Sequence, residues 1–114
     1  MQYILQIYST DAADHAGRLP EAEQKAILGE YMAIMQAPGV IGGAQLQPPT
    51  TATTVRVEDG NALTTDGPFA ETKEVLGGYF LVEADDLDAA IELAARIPAA
   101  RMGGAVEVRP LVER

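Results

Sequence analysis

The stretch of this 114-residue chain that gathers the most chemically useful side chains is Thr65 to Glu74, TDGPFAETKE. Asp66 is followed at once by the obligate turn Gly67-Pro68, then by Phe69, and a few residues later by Thr72 and Lys73. Glycine takes backbone angles that other residues adopt only at a cost, and proline fixes φ, so such a turn holds Asp66 in one orientation. A fixed carboxylate beside an aromatic ring and an ammonium group suits two kinds of work. It can form the polar end of a small-molecule pocket lined by Gly67, Pro68, Phe69, Thr72 and Lys73. Alternatively, Asp66 can act as a catalytic group that moves a proton in isomerase, lyase or hydrolase chemistry, while Lys73 or a tyrosine stabilises charge. A third reading stays open beside these: an Asp before Gly-Pro often only accepts backbone N–H groups of its own turn.

Other groupings are weaker. Asp11, Asp14 and His15 contain metal-ligating types but nothing else in the sequence secures a site, so no metal is expected. Glu71 reads as surface charge. Gly77-Gly78 and Gly103-Gly104 do not open helices as phosphate-binding loops do, and close backbone approach or bulges explain them better. Tyr31 and Met35 stand at helical spacing with Ile27 and Ile34 and are expected in the core, with a pocket wall as the alternative. Arg101, before a glycine pair, can bind an anion or solvate the end of the fold. No nucleotide or other cofactor fingerprint occurs, and no cofactor is expected.

Composition removes whole classes of function. The chain has 17 acidic against 8 basic residues, a formal net charge of −9, and such a field repels nucleic-acid backbones and anionic lipid. Without cysteine there is no disulfide, thiolate metal site or cysteine nucleophile. No apolar run approaches the roughly 18 residues of a membrane span, and the first residues lack a basic leader, so the expectation is a cytoplasmic protein. With 47% hydrophobic residues, the chain can bury one core, and a single domain over 1–114 is expected.

The elements that position these residues follow from periodicity. Residues 2–8 read as a strand with Tyr3, Leu5 and Ile7 on one face and Ile4 and Tyr8 on the other. Pro20 opens a helix whose stripe is Ile27, Tyr31, Ile34 and Met35, and which stops before Pro38-Gly39. Val40 to Leu46 is a second strand. Thr50 to Glu58 and Ala62 to Thr65, joined by Asp59-Gly60-Asn61, form a hairpin. In GGYFLVE, residues 77–83, Tyr79 and Leu81 oppose Phe80 and Val82, so both faces of that strand need cover. Asp85-Asp86 caps a second helix with the apolar stripe Leu87, Ile91, Ala94 and Ile97, ended by Pro98. Val106 and Val108 mark the last strand. This order predicts an α+β protein of the ferredoxin-like split βαβ kind with an inserted hairpin. Two helices cover one sheet face only, so the sequence predicts a homodimer packed through the other face, closing a dimeric α+β barrel; a monomer that covers this face with its own hairpin and loop is the alternative.

The DGPF segment, Asp66 to Phe69, resembles the signature of the YCII-related or DGPF-domain family of small bacterial proteins. The resemblance extends to YILQIY near the start, LQPPTTATTVR before the hairpin, LGGYFLVEADDLDAAIELAARIP, and VEVRPL at the close. It implies a dimeric ferredoxin-like fold and a pocket near the DGPF turn, but no established activity; the unknown small-molecule ligand is the reading of the turn's own residues. Some smaller relatives pair a helix-borne His with an Asp. This chain departs from that pattern, because His15 precedes the helix, so only Asp66 matches the acidic member. Relatives of the DGPF type are often encoded beside extracytoplasmic-function sigma factors, which implies a regulatory setting. A partner-binding adaptor using the acidic surface is the remaining alternative.

Overall fold

The computed structural model describes residues 1–10, 19–70 and 72–114. Its elements are β1 (Gln2–Ser9), α1 (Glu21–Met35), β2 (Val40–Gln45), β3 (Thr53–Glu58), β4 (Asn61–Asp66), β5 (Val75–Glu83), α2 (Leu87–Ala95) and β6 (Ala105–Pro110), with one-turn 3₁₀ segments at Pro49–Thr51 and Pro98–Ala100. Strands β2, β5, β1 and β6 form, in that order, a four-stranded sheet in which every neighbour is antiparallel. Two βαβ units are thereby interleaved, each with a strand of the other between its own two, which is the split βαβ order. The fold is α+β, with two helices, this sheet and a separate hairpin.

Alternation along the central strands divides the two sheet faces. Tyr3, Leu5 and Ile7 on β1 and Phe80 and Val82 on β5 are buried and pack with Ile34, Ala90, Ala94, Ile97 and Ala99 into the core. Val108 lies opposite Leu5 and Val106 opposite Ile7, so β6 extends the same apolar face. The opposite face carries Ile4, Tyr8, Tyr79 and Leu81, which are only half-buried. Helix α2 begins where Asp86 accepts a hydrogen bond from the Ala89 N–H at 2.8 Å, satisfying one of the free donors of the first turn.

The stripe that α2 packs inward differs from the expected one. Ala90, Ala94 and Ile97 are buried and Leu93 partly so, whereas Leu87 and Ile91 stay about half exposed. Apolar residues surround most of this helix, so more than one stripe is available. The alanine stripe allows close approach to the sheet, and the larger Ile97, just beyond the helix, fills the space at its end.

Strands β3 and β4 pair only with each other, from Thr53 opposite Asp66 to Glu58 opposite Asn61. Of their residues only Thr54 is even half-buried, and Val55 and Val57 are 60% and 69% exposed. The radius of gyration is 16.0 Å, against about 13 Å for a compact chain of one hundred residues. The hairpin thus stands out from the body as an arm. No helix among the described residues is long and apolar enough to cross a membrane.

A cleft between the first helix and the sheet

Helix α1, EAEQKAILGEYMAIM, is richer in apolar residues than one inward stripe requires. Only Ile34 is buried; Ile27 and Tyr31 are half-buried, and Leu28, Met32 and Met35 are exposed. The helix is therefore anchored to the core near its C-terminal end by Ile34, with Tyr31 packed partly against it, and the other large apolar residues face a cleft. This cleft has a volume of about 620 Å³. Ile27, Leu28, Tyr31, Met32 and Met35 form its roof, Ile7, Gly43 and Phe80 its floor, and Leu46 to Pro49 one wall. Met102 and Ala99, from the loop before β6, line it as well.

Local sequence explains the opening. A Cβ on Gly43 would lie 2.5 Å from the Tyr79 carbonyl oxygen and 2.8 Å from the Phe80 ring, so only glycine lets β2 run this close to β5, and it leaves the floor without a side chain. Pro48 and Pro49 make the wall stiff. Tyr31 is the titratable group on the roof with a displaced proton affinity. Burial pushes its phenol above the ordinary value; a hydrogen bond from the Ala99 backbone and the charge of Arg101 partly oppose this. At neutral pH it carries its proton and no charge.

The structure corrects the expectation that Met35 belongs to the core, since it is exposed and lines the cleft, whereas Tyr31 both packs partly against the core and lines the cleft. The sequence signal for this was the surplus itself: apolar residues at 27, 28, 31, 32, 34 and 35 span too wide an arc for one packed stripe. Ile27, Leu28, Met32, Leu46 and Met102 were not singled out as site residues for the same reason, since each is an ordinary apolar residue until the sheet fails to meet it.

The DGPF turn lies elsewhere. Asp66 ends β4 opposite Thr53 and is exposed. Gly67 has φ +96°, donates its N–H to the Ala52 carbonyl at 2.7 Å and accepts a hydrogen bond from the Thr54 hydroxyl at 2.9 Å, closing the base of the arm. Pro68 follows, exposed. Phe69 is 72% exposed, with the Arg56 guanidinium carbon 4.7 Å from its ring centre, a cation–π contact across the arm base. The Thr72 hydroxyl donates to the Glu74 carbonyl, and Lys73 is exposed. Asp66, Gly67, Pro68, Phe69, Thr72 and Lys73 are brought to one end of the arm, but none is among the described residues lining the cleft.

Arg101 is engaged by Glu30 of α1 at 2.5 Å, beside a shallower cavity of about 370 Å³ that Arg96 and Ile34 also line. Its guanidinium is tied to a carboxylate rather than presented to an anion. Asp11, Asp14, His15 and Glu71 lie outside the described residues. Among the described residues, no three His, Asp or Glu side chains come together as a metal site.

Comparison with known families gives a match to the YCII-related domain over residues 1–114. Among curated proteins, the chain is similar to an uncharacterized protein of Rhizobium meliloti (strain 1021), 45% identical over 69 residues. Those residues are 60% of this chain and 56% of the relative, so the match spans little more than half of that protein's length.

Proposed function

Since the chain belongs to the YCII-related domain family, a family resemblance that brings no reaction with it, we propose from the geometry that it is a small-molecule-binding homodimer whose ligand site is the cleft under α1. One observation carries this reading. A helix with six large apolar residues, Ile27, Leu28, Tyr31, Met32, Ile34 and Met35, buries only one of them, while the other five line an open cavity of about 620 Å³. That volume lies within the roughly 300–1,000 Å³ of small-molecule pockets. Leaving this much apolar surface in water forgoes about 25 cal/mol per Å² that a bound molecule recovers.

The dimer rests on the sheet face away from the helices, where Ile4, Tyr8, Tyr79 and Leu81 form a half-exposed apolar layer. A second copy placed face to face covers both layers and forms the dimeric barrel. Ligand occupancy under α1, in a cytoplasmic protein with so acidic a surface, suits a regulatory role in which a bound metabolite alters contact with a partner.

A thermal-shift screen against a metabolite panel tests the site, because a molecule that binds only the folded state raises its stability by mass action. We expect hits on wild type that weaken in Met32→Lys and survive in Asp66→Asn. Hits that vanish in Asp66→Asn and survive in Met32→Lys would instead place the site at the DGPF turn. For the dimer, light scattering is expected to give twice the chain mass at micromolar concentration, and the single mass with Leu81→Arg; a monomeric wild type would overturn the sheet-face pairing.

A further inference from the structure

We propose that the cleft under α1 selects neutral, largely apolar molecules with an aromatic ring system and rejects ions of either sign. The inference rests on the reading of that cleft as the ligand site and names the class of molecule it takes.

The first argument is the lining's charge. The chain carries 17 acidic and 8 basic residues. Yet no Asp, Glu, Lys, Arg or His is among the described residues that line the cleft. On α1 itself, Glu21, Glu23, Lys25 and Glu30 are all exposed, and all are absent from the lining; Lys25 lies 3.5 Å from Glu21 as a surface pair. Glu21 and Lys25 share the helix face of Leu28 and Met32 but stand nearer the N-terminus and outside the lining, so the part of α1 over the cavity carries only Gln24, the Tyr31 phenol and apolar groups. An ion entering such a space loses hydration and meets no countercharge among the described residues, so its charge is left unpaired. Anions meet a further barrier on approach, from a surface with net charge −9.

The second argument is the lining's polar groups. Those present are neutral: the Ser9 hydroxyl, the amides of Gln24, Gln45 and Gln47, and the Tyr31 phenol. The Gln24 amide is already engaged, donating to the Leu19 carbonyl at 2.7 Å. The Tyr31 phenol holds its proton. These groups can orient a neutral molecule through one or two hydrogen bonds but cannot neutralise a charged one.

The third is the kind of apolar surface. Met32, Met35 and Met102 share the cavity with the rings of Tyr31 and Phe80, while Tyr79 borders it through its backbone, its ring lying on the other sheet face. Thioether sulfur is polarisable, packs favourably against aromatic ring edges and adapts to irregular shapes. Three methionines beside two aromatic rings suit a flat, polarisable ligand better than a compact polar one.

Two dyes with one skeleton provide the test. N-phenyl-1-naphthylamine is neutral, and 8-anilinonaphthalene-1-sulfonate adds a sulfonate to the same ring system; each brightens on leaving water. Titration of wild-type protein is expected to show the neutral dye binding about tenfold or more tighter than the sulfonate. Met32 is 57% exposed on a helix, where lysine is well tolerated, so Met32→Lys folds and places one cation at the cleft. It is expected to weaken the neutral dye and strengthen the sulfonate. Val57→Lys, on the exposed arm, is expected to change neither. If the sulfonate binds wild type as tightly as the neutral dye, and Met32→Lys alters both, the ligand class is overturned while the cleft stands as a binding site. If neither dye binds, or if binding responds to Val57→Lys and not to Met32→Lys, the cleft itself falls and the ligand class falls with it.

Discussion

Replacing Ile34 with alanine examines the contact that holds the roof of the cleft in place. Ile34 is 1% exposed and is the only buried residue of α1. The substitution removes three carbon groups from a packed site. At about 0.8 kcal/mol each the transfer term is about 2.4 kcal/mol. The cavity left behind adds to it, so a total loss of about 3–4 kcal/mol is expected, within the range of Ile-to-Ala changes in cores. Tyr31, half-buried against the core, is the other α1 contact there, so Ile34 carries most of the loss. Leu28→Ala, one and a half turns earlier on the same helix, removes as many carbons from a residue 57% exposed and is expected to lose less than about 1 kcal/mol. Urea unfolding at one fixed protein concentration measures both. With a slope near about 1.5 kcal/mol/M, Ile34→Ala lowers the midpoint by roughly 2 M and Leu28→Ala by less than about 0.7 M. Equal losses in the two variants, or a loss below about 1 kcal/mol for Ile34→Ala at unchanged slope, would refute Ile34 as the main anchor of α1 and with it the reason for an open cleft.

The raised proton affinity of Tyr31 sets a pH dependence of definite sign. The folded chain keeps this proton at pH values where the unfolded phenol, near 10.0, has lost it. Its contribution to stability is therefore complete below pH 10 and is lost as pH rises through the higher folded value. Absorbance titration at alkaline pH is expected to show a late phenol in wild type that is missing in Tyr31→Phe, with a shallower fall of Tm above pH 10 in the variant; identical curves would count against a buried phenol on the roof. At the start of α2, Asp86→Ala removes the acceptor for the Ala89 N–H and is expected to lower stability by about 1 kcal/mol, with Asp86→Asn recovering most of it in thermal melts.

Much of this architecture was legible in the sequence because it is specified over a few residues. The alternation Tyr3, Leu5, Ile7 against Ile4, Tyr8 gives the faces of β1 without any knowledge of its neighbours, since side chains in a strand repeat every two positions. The turn at Asp59-Gly60, with positive φ at both residues, and the Asp86 cap are likewise local matters of backbone angle and free N–H groups. From these pieces the order of strands and helices followed, and with it the split βαβ sheet.

What the tertiary structure decided is which of several equivalent local choices is used. Around α2 the stripes through Leu87 and Ile91 and through Ala90, Leu93 and Ala94 are both apolar, and only the distance to the sheet selects the alanines. Along α1 six apolar residues compete for the inward positions, and only Ile34 is buried, with Tyr31 half-buried beside the core. The cleft belongs to no segment: helix, glycine-lined floor and proline wall come from separate stretches of chain, and the cavity is the volume left when they meet. The DGPF turn drew attention because its composition is unusual within ten residues, yet those residues close the base of an arm. Short-range constraints write turns, caps and strand faces into sequence, whereas a cavity lined by ordinary apolar side chains exists only once distant elements have failed to fill the space between them.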